Sequence, residues 1–292
     1  MGICDNRTII VTGSGAGLGR EYALALAAEG ANVAVNDIRL EAAEAVVQEI
    51  QAAGGKAVVA LGDITSMAGA DAIIAAALAA FGEVHGVVNN AGVVRDRMFA
   101  SLSEDDWDTV VRVHLKGHFC LASKLVQRWR DQVKAGGKPL GRIVNTSSGA
   151  GLQGNIGQSN YSAAKGGIAS LTLVQAAELG RYGVTANALA PAARTGMTEG
   201  PFGAMMKAPE DGSFDHYHPG NVAPLVVYLC SELSQGVTGK VFEVEGGKIS
   251  IARGWKTGTV KNKGARYAPQ ELHTVIGELI ATEPPAQKVY GT

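Results

Sequence analysis

Thr12-Gly-Ser-Gly-Ala-Gly-Leu-Gly19 is the stretch whose reading decides the fold. It follows directly on the β-branched run Thr8-Ile-Ile-Val-Thr12 and opens an Ala-rich segment of helical period that reaches about Glu29. A glycine pattern alone is common, but between a strand and a helix it carries a mechanism. Gly13 permits the sharp turn, Gly17 lets backbone N–H groups approach a pyrophosphate, and Gly19 permits close helix packing. The helix N-terminus adds partial positive charge. A merely tight turn would not need three glycines at these spacings. A dinucleotide site is therefore expected, with Leu18 as a further contact from the loop.

Outward from the loop, Asp37 ends the next apolar run, Asn32-Val-Ala-Val-Asn36. A carboxylate there accepts bonds from the adenosine ribose hydroxyls, whereas a 2′-phosphate would meet like charge. Arg39 is two residues on, either as a partner for such a phosphate or as a solvated charge at a helix start. Ala16 leaves the loop itself without a basic residue. NAD is the expected cofactor.

The alternation then continues. Helices are predicted near 40–53, 66–81, 103–134, 158–181 and 219–233, and strands over Lys56–Leu61, Val84–Asn89, Arg142–Thr146, Gly183–Leu189 and Val241–Val244. The strands read as continuous apolar runs, as expected when both sheet faces are covered. This is the pattern of an α/β, doubly wound, mostly parallel sheet of Rossmann type. The 292 residues admit two domains or one large one. The alternation favours one catalytic domain over 1–247, with a Gly- and Pro-rich flap near 196–219 and an extension over 248–292.

Composition excludes several other classes. Hydrophobic residues are 46% and charged ones 18%, with 26 Lys+Arg against 27 Asp+Glu, which argues against disorder and against nucleic-acid binding. No 18 apolar residues run together, so no membrane span is expected. Cys4, Cys120 and Cys230 are odd in number and far apart, which suits free thiols in a reducing, cytoplasmic setting.

Tyr161-Ser-Ala-Ala-Lys165 places a phenol and an ammonium four apart, on one helix face. A tyrosine with its ordinary pKa of about 10 is a poor base at neutral pH. A neighbouring Lys⁺ is expected to lower it enough to exchange a proton with an alcohol. Ser148, just after a strand, is placed to hydrogen-bond the substrate oxygen. Alone, the Tyr/Lys pair would be an ordinary helix pair; behind a dinucleotide loop and a Thr-Ser-Ser strand end it reads as catalytic.

These residues, together with Asp63-Ile64 and Asn89-Asn-Ala-Gly92, give the chain a resemblance over about residues 7–247 to the short-chain dehydrogenase/reductase family. The resemblance implies that Asp63 and Ile64 flank the adenine, that Asn90 lies by the ribose and sheet edge, and that Lys165 holds the nicotinamide ribose. It also implies that Pro191–Gly196, with Pro191, Ala193 and Thr195, wraps the carboxamide; Pro191-Ala192 stands where the family usually has Pro-Gly. The family's helix Asn, which anchors a proton-relay water, is replaced by His114. His114 either holds the same water or is a satisfied polar residue near the site. Within the family, Val113-His114-Leu115, Asn89–Arg97, Gly154–Tyr161, Ala223–Cys230 and Phe242–Glu245 resemble the (3R)-hydroxyacyl-CoA dehydrogenase domain of type 2 multifunctional β-oxidation enzymes and stand-alone bacterial relatives. An acyl-CoA or steroid-like substrate is implied, as are dimers or tetramers paired through the helices at 103–134 and 158–181.

Two rival functions stay open at this point. One is a 17β-hydroxysteroid or other alcohol dehydrogenase, and the other a catalytically silent dinucleotide sensor, which would have no need of Ser148, Tyr161 and Lys165 together. Asp215, His216 and His218 fit no standard zinc spacing, so no metal is expected. Phe202, Met205 and Met206 either line an apolar pocket or fold on their own loop. Arg253–Arg266 carries five positive and no negative charges, suited to coenzyme A phosphates or to a solvated face.

Overall fold

Eight strands form one sheet in the order β3-β2-β1-β4-β5-β6-β7-β8 in the computed structural model, which describes residues 2–197, 206–285 and 287–292. In chain order they are β1 (Thr8–Thr12), β2 (Asn32–Asn36), β3 (Lys56–Val59), β4 (Gly86–Asn89), β5 (Arg142–Thr146), β6 (Thr185–Ala192), β7 (Val241–Glu245) and β8 (Lys248–Ile251). All neighbours run parallel except β7 and β8, which form an antiparallel hairpin pairing Phe242 with Ile251 and Glu245 with Lys248. The crossovers are α1 (Gly17–Ala28), α2 (Leu40–Ala52), α3 (Met67–Phe81), α4 (Glu104–Val111) continued by α5 (Gly117–Lys134), then α6 (Gly149–Gln153), α7 (Ser159–Leu179) and α8 (Ala223–Cys230). A last helix, α9 (Leu272–Thr282), lies in the extension.

The period-two geometry of the strands splits the core into two layers. Ile9 and Val11 of β1 pack with Tyr22 and Leu26 of α1, Val46 and Ile50 of α2 and Leu225 and Leu229 of α8. Ile10, between them, faces the opposite layer with Ile73 of α3 and Leu121, Leu125 and Trp129 of α5. Trp129 is fully buried and its indole N–H donates to Val84 O at 2.8 Å.

Strand order reverses between β1 and β4, so the loops after these strands diverge and open a crevice at the carboxyl edge of the sheet. The predicted helix over 103–134 is one rod interrupted by a π turn at Arg112–Lys116. Such turns widen the hydrogen-bond ladder by one residue.

The strand-and-helix alternation ends at β7, and the extension adds two elements the sequence did not announce: β8, an antiparallel edge strand, and α9 further on. None of α9 is buried, and Leu272, Ile276 and Ile280 stand exposed along it. No described helix is long and apolar enough to cross a membrane.

Candidate active site

The glycine loop is built by close approaches that no side chain would allow. Gly13 has φ +61°, and a Cβ there would lie 2.7 Å from the Ala91 Cα. At Gly19 it would lie 2.2 Å from the Gly13 carbonyl oxygen. Gly15, unremarked in the sequence, has the same requirement: its Cβ would meet the Asp37 carboxylate at 2.7 Å, and its N–H donates to Asp37 Oδ2 at 3.0 Å. Asp37 Oδ1 accepts from Arg39 N at 3.0 Å. The carboxylate is thus locked in place at the end of β2, with Arg39 Nε 3.4 Å away.

Gly13, Asp37 and Arg39 line a groove of about 510 Å³ that also takes in Gly17, Leu18, Asp63, Ile64, Asn90 and Thr195. Asp63 is fixed by Thr65, whose backbone N–H and hydroxyl donate to it at 2.8 and 2.9 Å. Asn90 lines both this groove and the neighbouring cavity. Its amide donates to Thr12 O at 3.1 Å and Gly13 O at 3.3 Å, so its side chain fastens the glycine loop to the end of β4. The cradle of missing side chains, the locked carboxylate and the α1 N-terminus suit a dinucleotide.

A second cavity of about 460 Å³ shares Leu18, Asn90, Thr195 and Met197 with the groove. It brings together Ser148, Tyr161, Lys165, His114, Pro191 and Ala193. Ser148 caps α6, its Oγ accepting from Ala150 N at 3.2 Å. Lys165 is buried, and its Nζ donates to Thr146 O at 2.6 Å and lies 5.5 Å from the centre of the Tyr161 ring. With no carboxylate to offset desolvation, burial brings the Lys165 ammonium down to about 7.

The Tyr161 phenol differs from expectation. Desolvation pushes it above its usual value, a hydrogen bond with Ser148 works against that rise, and Asp96 adds to it. The Lys165 ammonium is turned toward the Thr146 carbonyl, so the lowering contact on the phenol comes from Ser148 instead.

His114 sits in the π turn, 1% exposed. Its Nε2 is 2.7 Å from Val93 O and 3.1 Å from Val93 N, and its ring meets Tyr161 edge to face at 5.1 Å. Burial first, and then Lys165, bring its pKa down to about 3, so it is neutral. Nδ1 is buried without a protein partner. Gly92 makes room for the ring, since a Cβ there would lie 2.2 Å from the His114 Cε1. His118, one turn on, is likewise held neutral by burial, its Nε2 accepting from Thr146 N at 3.3 Å.

The cavity has walls that the sequence did not announce: Tyr217, Glu243, Glu245, Lys248, Ser250 and Tyr290. The Glu243 and Glu245 positions could have been found from the alternation in Val241–Glu245, whereas Tyr290 gives no local signal. In the flap, Phe202 and Met205 lie outside the described residues; Met206 is buried against the cavity. The flap's described end is clasped by an ion pair between Arg194 and Asp215 and by His216 Nε2 on Glu245 at 2.6 Å. His218 accepts from Gly220 N at 3.0 Å. Each member of the Asp215/His216/His218 cluster therefore has a different partner, and no metal-binding group of such residues occurs among the described residues.

Comparison with known proteins adds to this geometry. The family described as short chain dehydrogenase matches residues 7–202. The chain is 44% identical to the hydroxyacyl-CoA dehydrogenase ChsB1 of Mycobacterium tuberculosis, over 99% of this chain and 93% of that protein. It is 41% identical to the peroxisomal multifunctional enzyme type 2 of Drosophila melanogaster, over 91% of this chain and 42% of that longer one. A crystal structure of a short chain dehydrogenase from Mycobacterium avium superposes with a TM-score of 0.91 at 51% identity, covering both chains fully.

Proposed function

The chain belongs to the short-chain dehydrogenase family and is an oxidoreductase acting on CH–OH groups; on that basis we propose that it oxidises a (3R)-hydroxyacyl-CoA to the 3-oxoacyl-CoA with NAD, in the breakdown of a fatty-acid or sterol side chain. The observation that carries this reading is the meeting of Ser148, Tyr161 and Lys165 in a cavity that shares walls with the dinucleotide groove. Similarity to a hydroxyacyl-CoA dehydrogenase supports the acyl-CoA class. Asp37 supports NAD, because its locked carboxylate opposes a 2′-phosphate.

Gly13, Gly17 and Leu18 would hold the pyrophosphate, with Gly19 keeping α1 packed close to the loop, Asp37 the adenosine ribose, Asp63 and Ile64 the adenine, and Pro191, Ala193 and Thr195 the carboxamide end. A bound nicotinamide supplies the acceptor for the carbinol hydride. Ser148 orients the alcohol oxygen toward Tyr161, and the Tyr161 phenolate takes the hydroxyl proton. Lys165 would hold the nicotinamide-side ribose, while the Ser148 hydrogen bond is the contact that favours the ionised Tyr161 phenol. His114 is a positioning residue: anchored on the Val93 backbone, it supports the Tyr161 ring from its edge.

The test is NADH formation from NAD with 3-hydroxyacyl-CoA thioesters of graded size, including a sterol side-chain thioester. Turnover of the thioesters is expected, with Tyr161→Phe slower by about 10²–10⁴-fold. Turnover of free steroids but not of thioesters would replace the substrate assignment. NADPH-driven ketone reduction without thioester oxidation would overturn the whole reading.

A further inference from the structure

Residues 287–292 return from α9 to the loop after α6, the short helix that Ser148 caps. There Tyr290 N donates to Gly154 O and Ile156 N donates to Tyr290 O, both at 3.1 Å, a short parallel pairing against Asn155. Glycines receive this segment. A Cβ on Gly149, the residue after Ser148, would lie 2.7 Å from the Tyr290 hydroxyl and 3.0 Å from its ring. A Cβ on Gly154, at φ +84°, would touch Val289 at 3.4 Å. The Tyr290 hydroxyl meets Gln153, and its ring lines the same cavity as Ser148 and Tyr161.

The geometry points to Tyr290 as a specificity-determining residue: its ring is the wall that limits the bulk of the alcohol brought to Ser148 and Tyr161. This inference rests on the alcohol-oxidation reading of the site. A rigid aromatic side chain held by main-chain bonds on both sides is a fixed boundary, whereas a loose tail would yield to a larger substrate. Apolar pockets discriminate roughly 10–200-fold per methylene-sized difference, so removing a whole ring has a measurable effect on selectivity.

The experiment compares kcat/KM in the full-length protein and its Tyr290→Ala, Tyr290→Phe and Tyr267→Ala variants. The substrates are two series of graded size, 3-hydroxyacyl-CoA thioesters and simple secondary alcohols. Tyr267 is in the same extension and does not line the cavity. In Tyr290→Ala the ratio of kcat/KM for the bulkiest to the smallest substrate is expected to rise about 10-fold or more. Tyr290→Phe is expected to keep the parent ratio, as is Tyr267→Ala. An unchanged ratio in Tyr290→Ala, or an equal loss on every substrate, would overturn the assignment, the latter marking a purely structural role. If thioesters fail and simple alcohols are oxidised, the acyl-CoA assignment falls while the alcohol series still decides the role of Tyr290.

Discussion

His114 shows how much one buried ring can fix. Its neutral imidazole spans the gap between the π turn and the Val93 backbone, and Gly92 is small because the ring needs the space. A proton on this ring is strongly disfavoured in the fold, where the pKa falls from 6.5 to about 3. The sign follows from linkage: between those values the unfolded chain binds a proton that the folded chain does not, so stability is full above pH 6.5 and is lost as pH falls toward 3. His118 acts in the same direction. His114→Asn removes one of these contributions, and its melting transition is expected to depend less steeply on pH between 4 and 6, by up to about 1.4 kcal/mol per pH unit. Thermal melts at several pH values check this, and parallel slopes for variant and parent would refute it. Sequence alone places His114 by the site. It does not distinguish a water-holding side chain from one satisfied by the backbone, because Val93 is distant in sequence and meets the ring through tertiary packing.

At the level of elements, the loop-to-helix junction behind β1 was legible because each requirement is local: a turn, a phosphate approach and a helix start within eight residues. The lock on Asp37 was legible in part, since the carboxylate's position follows from β2 while its bond to Gly15 N–H is a contact across the loop. That lock predicts cofactor choice. Asp37→Ser is expected to lower the kcat/KM ratio of NAD to NADP by roughly 10–100-fold, or about 1.4–2.8 kcal/mol, read from initial rates with each cofactor. A ratio unchanged by the substitution would place discrimination elsewhere. Two elements escaped the sequence for physical reasons. Lys248-Ile-Ser-Ile251 is a four-residue edge strand with every residue exposed, so it lacks the apolar run that marks its buried neighbours. Leu272, Ile276 and Ile280 do recur at helical spacing in α9, but with no core beneath them they announce a surface and not a layer of the fold. Tyr290 is harder still, since only the return of the chain to Gly154 gives it a role.

At the scale of the whole molecule, Phe119 of α5 and Leu173 and Val174 of α7 are apolar and about half exposed, on the helices flanking the catalytic layer. These are the two helices through which the family resemblance implies pairing. We expect dimers or tetramers, and light scattering of the purified protein is expected to give two or four times the chain mass. A Leu173→Asp, Val174→Lys variant is expected to shift toward smaller species; a single-chain mass for the parent would contradict the pairing. The π turn bears on this as well. Each helical residue advances the side-chain direction by about 100°, and the wide turn at Arg112–Lys116 sets α5 out of phase with α4 by about that angle. The rod from Glu104 to Lys134 therefore behaves as two cams on one shaft. The first is timed to the active site through Asp106 O, which accepts from Asn160 beside Tyr161, and the second to the core through Trp129, whose indole N–H donates to Val84 O. Loss of one residue at the turn would retime the second cam against the first, so this helix tolerates substitution along its exposed face far better than a change of length.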